Sequence, residues 1–344
     1  MLNYGSFSVI NRYKENRHKE EKMIDIKPGH IEELPAVGSW PTAVHVFEKK
    51  TIWAVNAALA AERPLLVRGE PGSGKSQLAR AAAKVLHRAF ISEVVHSRSE
   101  CRDLQWHFDA VARLGEAQTL GTTAGPADIT ARLDPKRFLS PGALWWTFDW
   151  ESAEKQFNMC NMGMGRPLKP KDWNPEQGCV LLLDEIDKAD ADLPNGLLET
   201  LGNGAFTVPY LDEPIGMEKN APPPLVVITT NEERELPGAF LRRCLVLHLA
   251  LPEEEEQLVK WLSDRGEIHF KETCKEKVRA KAAALLWKDR QEALKHGLQP
   301  PGQAEYLDML RAVGRLYHTE EKQLKALDDI AEFALVKNFQ GGAF

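Results

Sequence analysis

The chain reads as an α/β protein with a parallel five-stranded sheet in a three-layer core, followed by a small all-helical C-terminal unit. Three observations predict this. Five short apolar runs, at residues 64–68, 89–95, 179–183, 225–229 and 245–251, alternate with segments of helical periodicity. The runs are mostly apolar rather than apolar at every second residue, as expected of strands covered by helices on both faces. After Pro252 the pattern is helical only.

The elements follow in order. Residues 1–35 are polar and mixed in charge, as in Asn11-Arg12-Tyr13-Lys14-Glu15, and predict a flexible or loosely docked arm. Its interleaved glutamates favour a solvated tail over a nucleic-acid arm. An apolar face over residues 51–61 predicts a helix. The first strand, Pro64-Leu65-Leu66-Val67-Arg68, enters a glycine-rich turn, and residues 76–85 leave it as a helix. The sheet-bearing domain is expected over 36–251, with an insert around 100–170. In 252–344, Pro252 and Glu253-Glu254-Glu255-Glu256 make a helix start that complements the helix dipole. Val278, Ala282, Leu285 and Leu286 share a helical face. So do Tyr306, Leu310, Val313 and Tyr317, and then Leu324, Leu327, Ala331 and Ala334. Gly341-Gly342 can stop the last helix.

Bulk properties narrow the function classes. The 344 residues are 43% hydrophobic and 27% charged, as in ordinary globular proteins. A net charge of −6 supplies no global attraction to nucleic acid or an anionic membrane. Five scattered cysteines without CxxC spacing argue for free thiols and against a zinc site or disulfide framework. No run approaches the ~20 apolar residues that cross a bilayer, and the first ten residues lack a signal-peptide pattern. The expected location is the cytoplasm.

The glycine-rich turn is Gly69-Glu70-Pro71-Gly72-Ser73-Gly74-Lys75-Ser76, a complete phosphate-binding loop, with Gln77 next in the binding stretch. Its glycines let successive backbone N–H groups converge on one anion. Lys75 supplies a point charge to the β- and γ-phosphates, and the Ser76 hydroxyl suits Mg²⁺. The helix leaving the loop aims its N-terminal dipole at the phosphates. Strand and loop together predict binding of ATP with Mg²⁺.

Cys179-Val180-Leu181-Leu182-Leu183-Asp184-Glu185 is the second decisive stretch. A buried strand delivers Asp184 to its carboxyl end, where it can hold Mg²⁺ opposite Ser76. Glu185 is suited to deprotonate an attacking water. Asn231 ends the next apolar run, where an amide can hold that water and touch the γ-phosphate. Arg242 and Arg243 precede the last run. Paired arginines are usually surface charges, but a guanidinium is also what a neighbouring subunit needs to stabilise the transferring phosphoryl group.

These residues, in this order, resemble the AAA+ ATPases, and more narrowly their MoxR-like group. The resemblance rests on the phosphate loop, on Leu182-Leu183-Asp184-Glu185-Ile186-Asp187-Lys188-Ala189, and on Thr229-Thr230-Asn231-Glu232-Glu233-Arg234-Glu235-Leu236-Pro237-Gly238-Ala239-Phe240-Leu241-Arg242-Arg243. It spans about residues 42–335. It implies a hexameric ring with ATP at subunit interfaces, Asn231 as sensor 1, and Arg243, or else Arg242, reaching a neighbour's site. Lys75 and Asp184 lie 109 positions apart, more than one strand and one helix require. The excess resembles the group's insert in the second helix, and residues 204–210 fall where the group places a hairpin. The group's sensor 2 arginine has no counterpart in Pro300-Pro301-Gly302-Gln303-Ala304-Glu305-Tyr306-Leu307, and Arg311 follows two turns later. The resemblance implies an ATP-hydrolysing, chaperone-like remodeller or activator of a client, working with a von Willebrand factor A domain partner. The alternatives are a nucleic-acid-directed motor or defence subunit, and an ATP-gated scaffold that does not hydrolyse.

Three further features read better as structure than as sites. The aromatic run Trp145-Trp146-Thr147-Phe148-Asp149-Trp150 suits packing of the insert more than base stacking. Met159-Cys160-Asn161-Met162-Gly163-Met164 has soft donors, but fits a loop better than a copper site. Lys188 could reach across a subunit interface, although a solvated lysine is the simpler reading.

Overall fold

The computed structural model describes residues 23–120, 125–160, 165–217 and 222–335. The start of the polar arm, the centre of the methionine-bearing loop and Gly341-Gly342 lie outside the described residues. Among the described residues a hairpin comes first, with β1 (His30–Leu34) antiparallel to β2 (Ala43–Phe47). Residues 30–34, expected in the loosely docked arm, form a strand here. The reason is packing: Ile24, Leu34 and Phe47 are all buried in the core.

Next come α1 (Lys49–Ala61), β3 (Leu65–Gly69), α2 (Lys75–Val85) and β4 (Ala89–Val94). The insert then supplies α3 (Cys101–Gln105), β5 (Trp106–Phe108), α4 (Ala110–Leu120), α5 (Pro126–Arg132), β6 (Leu139–Pro141), α6 (Ala143–Phe148) and α7 (Trp150–Met159). The core resumes with β7 (Cys179–Asp184) and α8 (Asp192–Asn203). A small hairpin of β8 (Ala205–Phe206) and β9 (Ile215–Gly216) precedes β10 (Leu225–Thr230), α9 (Gly238–Leu241) and β11 (Leu245–Leu249). Four helices complete the described residues: α10 (Glu255–Phe270), α11 (Glu276–Lys295), α12 (Gln303–Leu316) and α13 (Glu320–Ala334).

The five predicted runs become one parallel sheet in the order β11-β3-β10-β7-β4. Leu65, Val67, Val180, Leu182, Leu225 and Val227 face α1, α2 and the first hairpin. Leu66, Leu181, Leu183, Val226 and Ile228 face α8 and the insert. Helices on both sides explain why the runs do not alternate. The aromatic run is core: Trp145, Trp146, Phe148 and Trp150 are buried, and Trp150 lies 4.6 Å from Trp173 between ring centres. Buried rings are not available to stack on bases. Among the described residues, no helix is long and apolar enough to cross a membrane.

The C-terminal helices pack around their own core, which includes Val278, Ala282, Leu286, Tyr306, Leu310, Val313, Leu327 and Ala331. At its centre α10 and α12 touch closely. A Cβ on Gly266 would lie 2.4 Å from the Tyr306 hydroxyl oxygen. Tyr306 is fully buried, so the ring cannot swing away. Gly266→Ala is therefore expected to destabilise this unit by about 1–3 kcal/mol, read as a lower denaturant midpoint with helicity retained. An unchanged midpoint would contradict this packing.

His45 makes stability depend on pH. It shares a face of β2 with Phe47, the two rings edge-on at 4.8 Å. Burial lowers its pKa from 6.5 to about 4, and the charge of Arg265 adds to the effect. Below pH 6.5 the unfolded chain takes up a proton that the folded chain refuses, so this contribution is complete above 6.5 and is lost as pH falls toward 4. The loss is on the order of 3 kcal/mol. Urea unfolding at pH 7 and near pH 4.5 should show a smaller acid-induced loss for His45→Phe than for wild type. Equal losses would mean that His45 titrates normally.

Candidate functional site

The phosphate loop sits where β3 ends and α2 begins. Gly69 has φ +150°, and a Cβ there would lie 2.5 Å from the Leu249 carbonyl oxygen. Only glycine lets β3 and β11 approach so closely at the loop mouth. Gly72 has φ +73°, and its Cβ would lie 2.4 Å from that of Ala304 on α12, so the helical unit is seated directly on the loop. Gly74 caps α2 without any side-chain hydrogen bond, which leaves the first N–H groups of the helix available to an anion. Lys75 is almost wholly buried. Its Nζ donates to the carbonyls of Gly69 at 2.7 Å and Glu70 at 2.9 Å, arching the ammonium back over the loop. Burial pulls its pKa down, while Asp184, Asp187, Glu185 and Glu232 pull it up.

The second decisive stretch lies beside the loop. Ser76 Oγ donates to Asp184 at 2.8 Å to Oδ1 and 3.0 Å to Oδ2. Two hard oxygen donors side by side suit Mg²⁺, so the residues present fit that ion. Thr229 Oγ1 donates to Asp184 Oδ1 and accepts from the Glu185 N–H at 2.9 Å. Glu185 adopts φ +61°, a left-handed conformation that costs a β-carbon residue about 1–2 kcal/mol. This bends the chain sharply off the line of β7. The carboxylate then accepts from Asn231 Nδ2 at 3.1 Å and from Lys188 Nζ at 2.5 Å. That hydrogen bond is the main cause of a raised Lys188 pKa. Within one chain, then, Lys188 pairs with Glu185. Asp187, buried beneath, accepts from the Glu233 N–H at 2.9 Å and the Asn231 N–H at 3.4 Å.

Gly69, Lys75, Ser76, Asp184, Glu185 and Asn231 thus meet at the carboxyl ends of β3, β7 and β10. Arg242 and Arg243 do not join them. They are exposed beside the start of β11, where the Arg63 guanidinium donates to both of their carbonyls. Leu245 pairs with Leu65 and Leu249 with Gly69, so the strand length, roughly 16 Å, separates these arginines from their own phosphate loop.

Thr229 and Asp187 are the site residues that sequence reasoning missed. The signal for Thr229 was a buried hydroxyl directly after the apolar run Leu225-Val226-Val227-Ile228. The signal for Asp187 was a second acid two residues after Glu185.

A cavity of about 380 Å³ adjoins the loop, lined by Gly72, Ser73, Gly74 and Gln77, by the β2 hairpin and by α12. Gln77 also accepts from Arg80 at 2.9 Å. Arg311, two turns along α12, lines this cavity, because positions 304, 307, 308 and 311 share one face of the helix. Its guanidinium is paired with Asp308.

The AAA domain (dynein-related subfamily) matches residues 64–244, just over half of the chain. A solved structure of a candidate ATPase from Cytophaga hutchinsonii is similar over 84% of this chain and 82% of its own, at 16% identity and a TM-score of 0.36. No similar protein is found among curated proteins. The matched segment runs from the strand before the phosphate loop to the turn before β11, and it contains Lys75, Ser76, Asp184, Glu185 and Asn231. The chain belongs to the AAA domain family, in its dynein-related subfamily.

Proposed function

We propose that this chain hydrolyses ATP as a subunit of a ring of the MoxR-like type, remodelling or activating a protein client. One observation carries the hydrolytic reading: Ser76, Asp184, Thr229, Glu185 and Asn231 form one hydrogen-bonded network at the end of three adjacent strands. A site that only bound nucleotide would have no use for a second carboxylate held in a strained conformation beside the first.

The loop N–H groups, the α2 N-terminus and Lys75 hold the phosphates. Ser76 and Asp184 would hold Mg²⁺, which would supply positive charge to neutralise the phosphates. Glu185 accepts the proton of the attacking water on a carboxylate oxygen, and Asn231 Nδ2 fixes the orientation of that carboxylate. Lys188 holds the other oxygen at 2.5 Å. Arg242 and Arg243, remote from their own loop and exposed, are free to enter a neighbour's site. That is the basis for proposing a ring, and six subunits are the count implied by resemblance. The von Willebrand factor A domain partner rests on resemblance alone.

Glu185→Gln should bind Mg-ATP with near wild-type affinity and lose about 10²-fold or more in turnover, measured by phosphate release. Lys75→Ala should lose binding in equilibrium titration. A wild-type protein without ATPase activity under ring-forming conditions would end the enzymatic reading. Arg243→Ala should cut kcat by about 10³-fold with ATP affinity kept, with Arg242→Ala as the comparison. Full activity in both variants would remove the trans-acting arginine.

A further inference from the structure

We propose that Arg290, on α11, is a positioning residue that couples the helical unit to triphosphate binding through Glu70 of the phosphate loop. The proposal rests on the nucleotide-binding reading above and goes beyond it.

The start of α12, where it meets the phosphate loop, carries no arginine. The cation comes instead from the helix before it. Arg290 forks the Glu70 carboxylate with two hydrogen bonds, Nη1 to Oε2 at 2.7 Å and Nη2 to Oε1 at 2.6 Å. Its Nη1 also donates to the Pro301 carbonyl at 3.0 Å, which fixes the turn leading into α12. The Arg290 side chain is only 11% exposed, against 34% for Glu70. Bidentate, largely desolvated pairs of this kind are the geometrically specific ones.

Glu70 is placed to pass this contact on. Its side chain meets the helical unit, and its backbone carbonyl accepts from Lys75 Nζ at 2.9 Å. One residue therefore touches both Arg290 and the lysine that meets the phosphates. Its position in the loop also puts a carboxylate beside a site built for a polyanion. Paired with Arg290, that charge is neutralised. When the helical unit swings away, the carboxylate stands uncompensated and opposes the incoming triphosphate. By linkage, triphosphate binding favours the docked arrangement, in which Ala304 packs on Gly72.

The test is calorimetric titration of the full-length protein and its variants with Mg²⁺ and a non-hydrolysable ATP analogue, which reads affinity and not turnover. Arg290→Met is expected to weaken binding by about tenfold or more, since it leaves the Glu70 charge unpaired. Glu70→Gln is expected to bind within about threefold of wild type, or tighter. The double variant Glu70→Gln/Arg290→Met is expected to return to within about threefold of wild type. That rescue separates the two roles, because a merely structural clamp would not be repaired by deleting its second half. If Arg290→Met does not fold, Glu70→Gln and the double variant decide the matter. Unchanged affinity in Arg290→Met, a tenfold loss in Glu70→Gln, or no recovery in the double variant each overturns the coupling. A wild type that binds no analogue overturns the nucleotide reading itself, and the coupling with it.

Discussion

The parallel pairing of β3, β10 and β7 is the constraint on which the rest of the structure depends. Val227 pairs with Leu65 and Leu225 with Val180, so three strands end at one edge of the sheet in matched register. Parallel strands deliver their carboxyl ends to the same side, where ligands collect in open α/β sheets. The phosphate loop, Asp184 and Asn231 follow directly from those ends. An antiparallel neighbour would have sent one of them to the opposite edge. Both sheet faces are dry, with Leu182 and Leu183 wholly buried on opposite sides, so a slip in register would disturb two cores at once.

On that frame, polar contacts stitch neighbouring loops together. Thr229 joins Asp184 to the Glu185 backbone, and Asp187 joins the turn after β7 to the turn after β10. Their cost and benefit explain the left-handed Glu185. Its strain is held in place because its N–H and both carboxylate oxygens have partners. The same contacts restrain the residue proposed as base.

The helical unit adds the third layer of control. Its own core makes it a separate packing unit, while Trp261 and Arg265 reach Glu48 and Arg290 reaches Glu70. These polar links, together with Ala304 packed on Gly72, join the unit to the core. The cavity between them is bounded on one side by the β2 hairpin. That hairpin had read as polar arm in part, because Glu32 and Glu33 mask the buried Leu34.

What the sequence determined by itself was whatever is local along the chain. The loop from Gly69 to Ser76 is eight contiguous residues, and its chemistry follows from their order. Asp184 and Glu185 are likewise adjacent, at the end of an unmistakable buried strand. Helix faces such as Tyr306, Leu310 and Val313 follow from a period of 3.6. Only the tertiary structure decided which distant groups meet. Thr229 on Asp184 spans 45 positions and Arg290 on Glu70 spans 220, and no periodicity encodes such pairs. Arg311 shows the difference well. Its place two turns along α12 does not show that the helix runs beside the cavity, which its packing on the phosphate loop decides. Arg242 and Arg243 lie at the opposite end of the sheet from their own phosphate loop because β11 runs parallel to β3, which puts the residues before β11 at the amino ends of the strands.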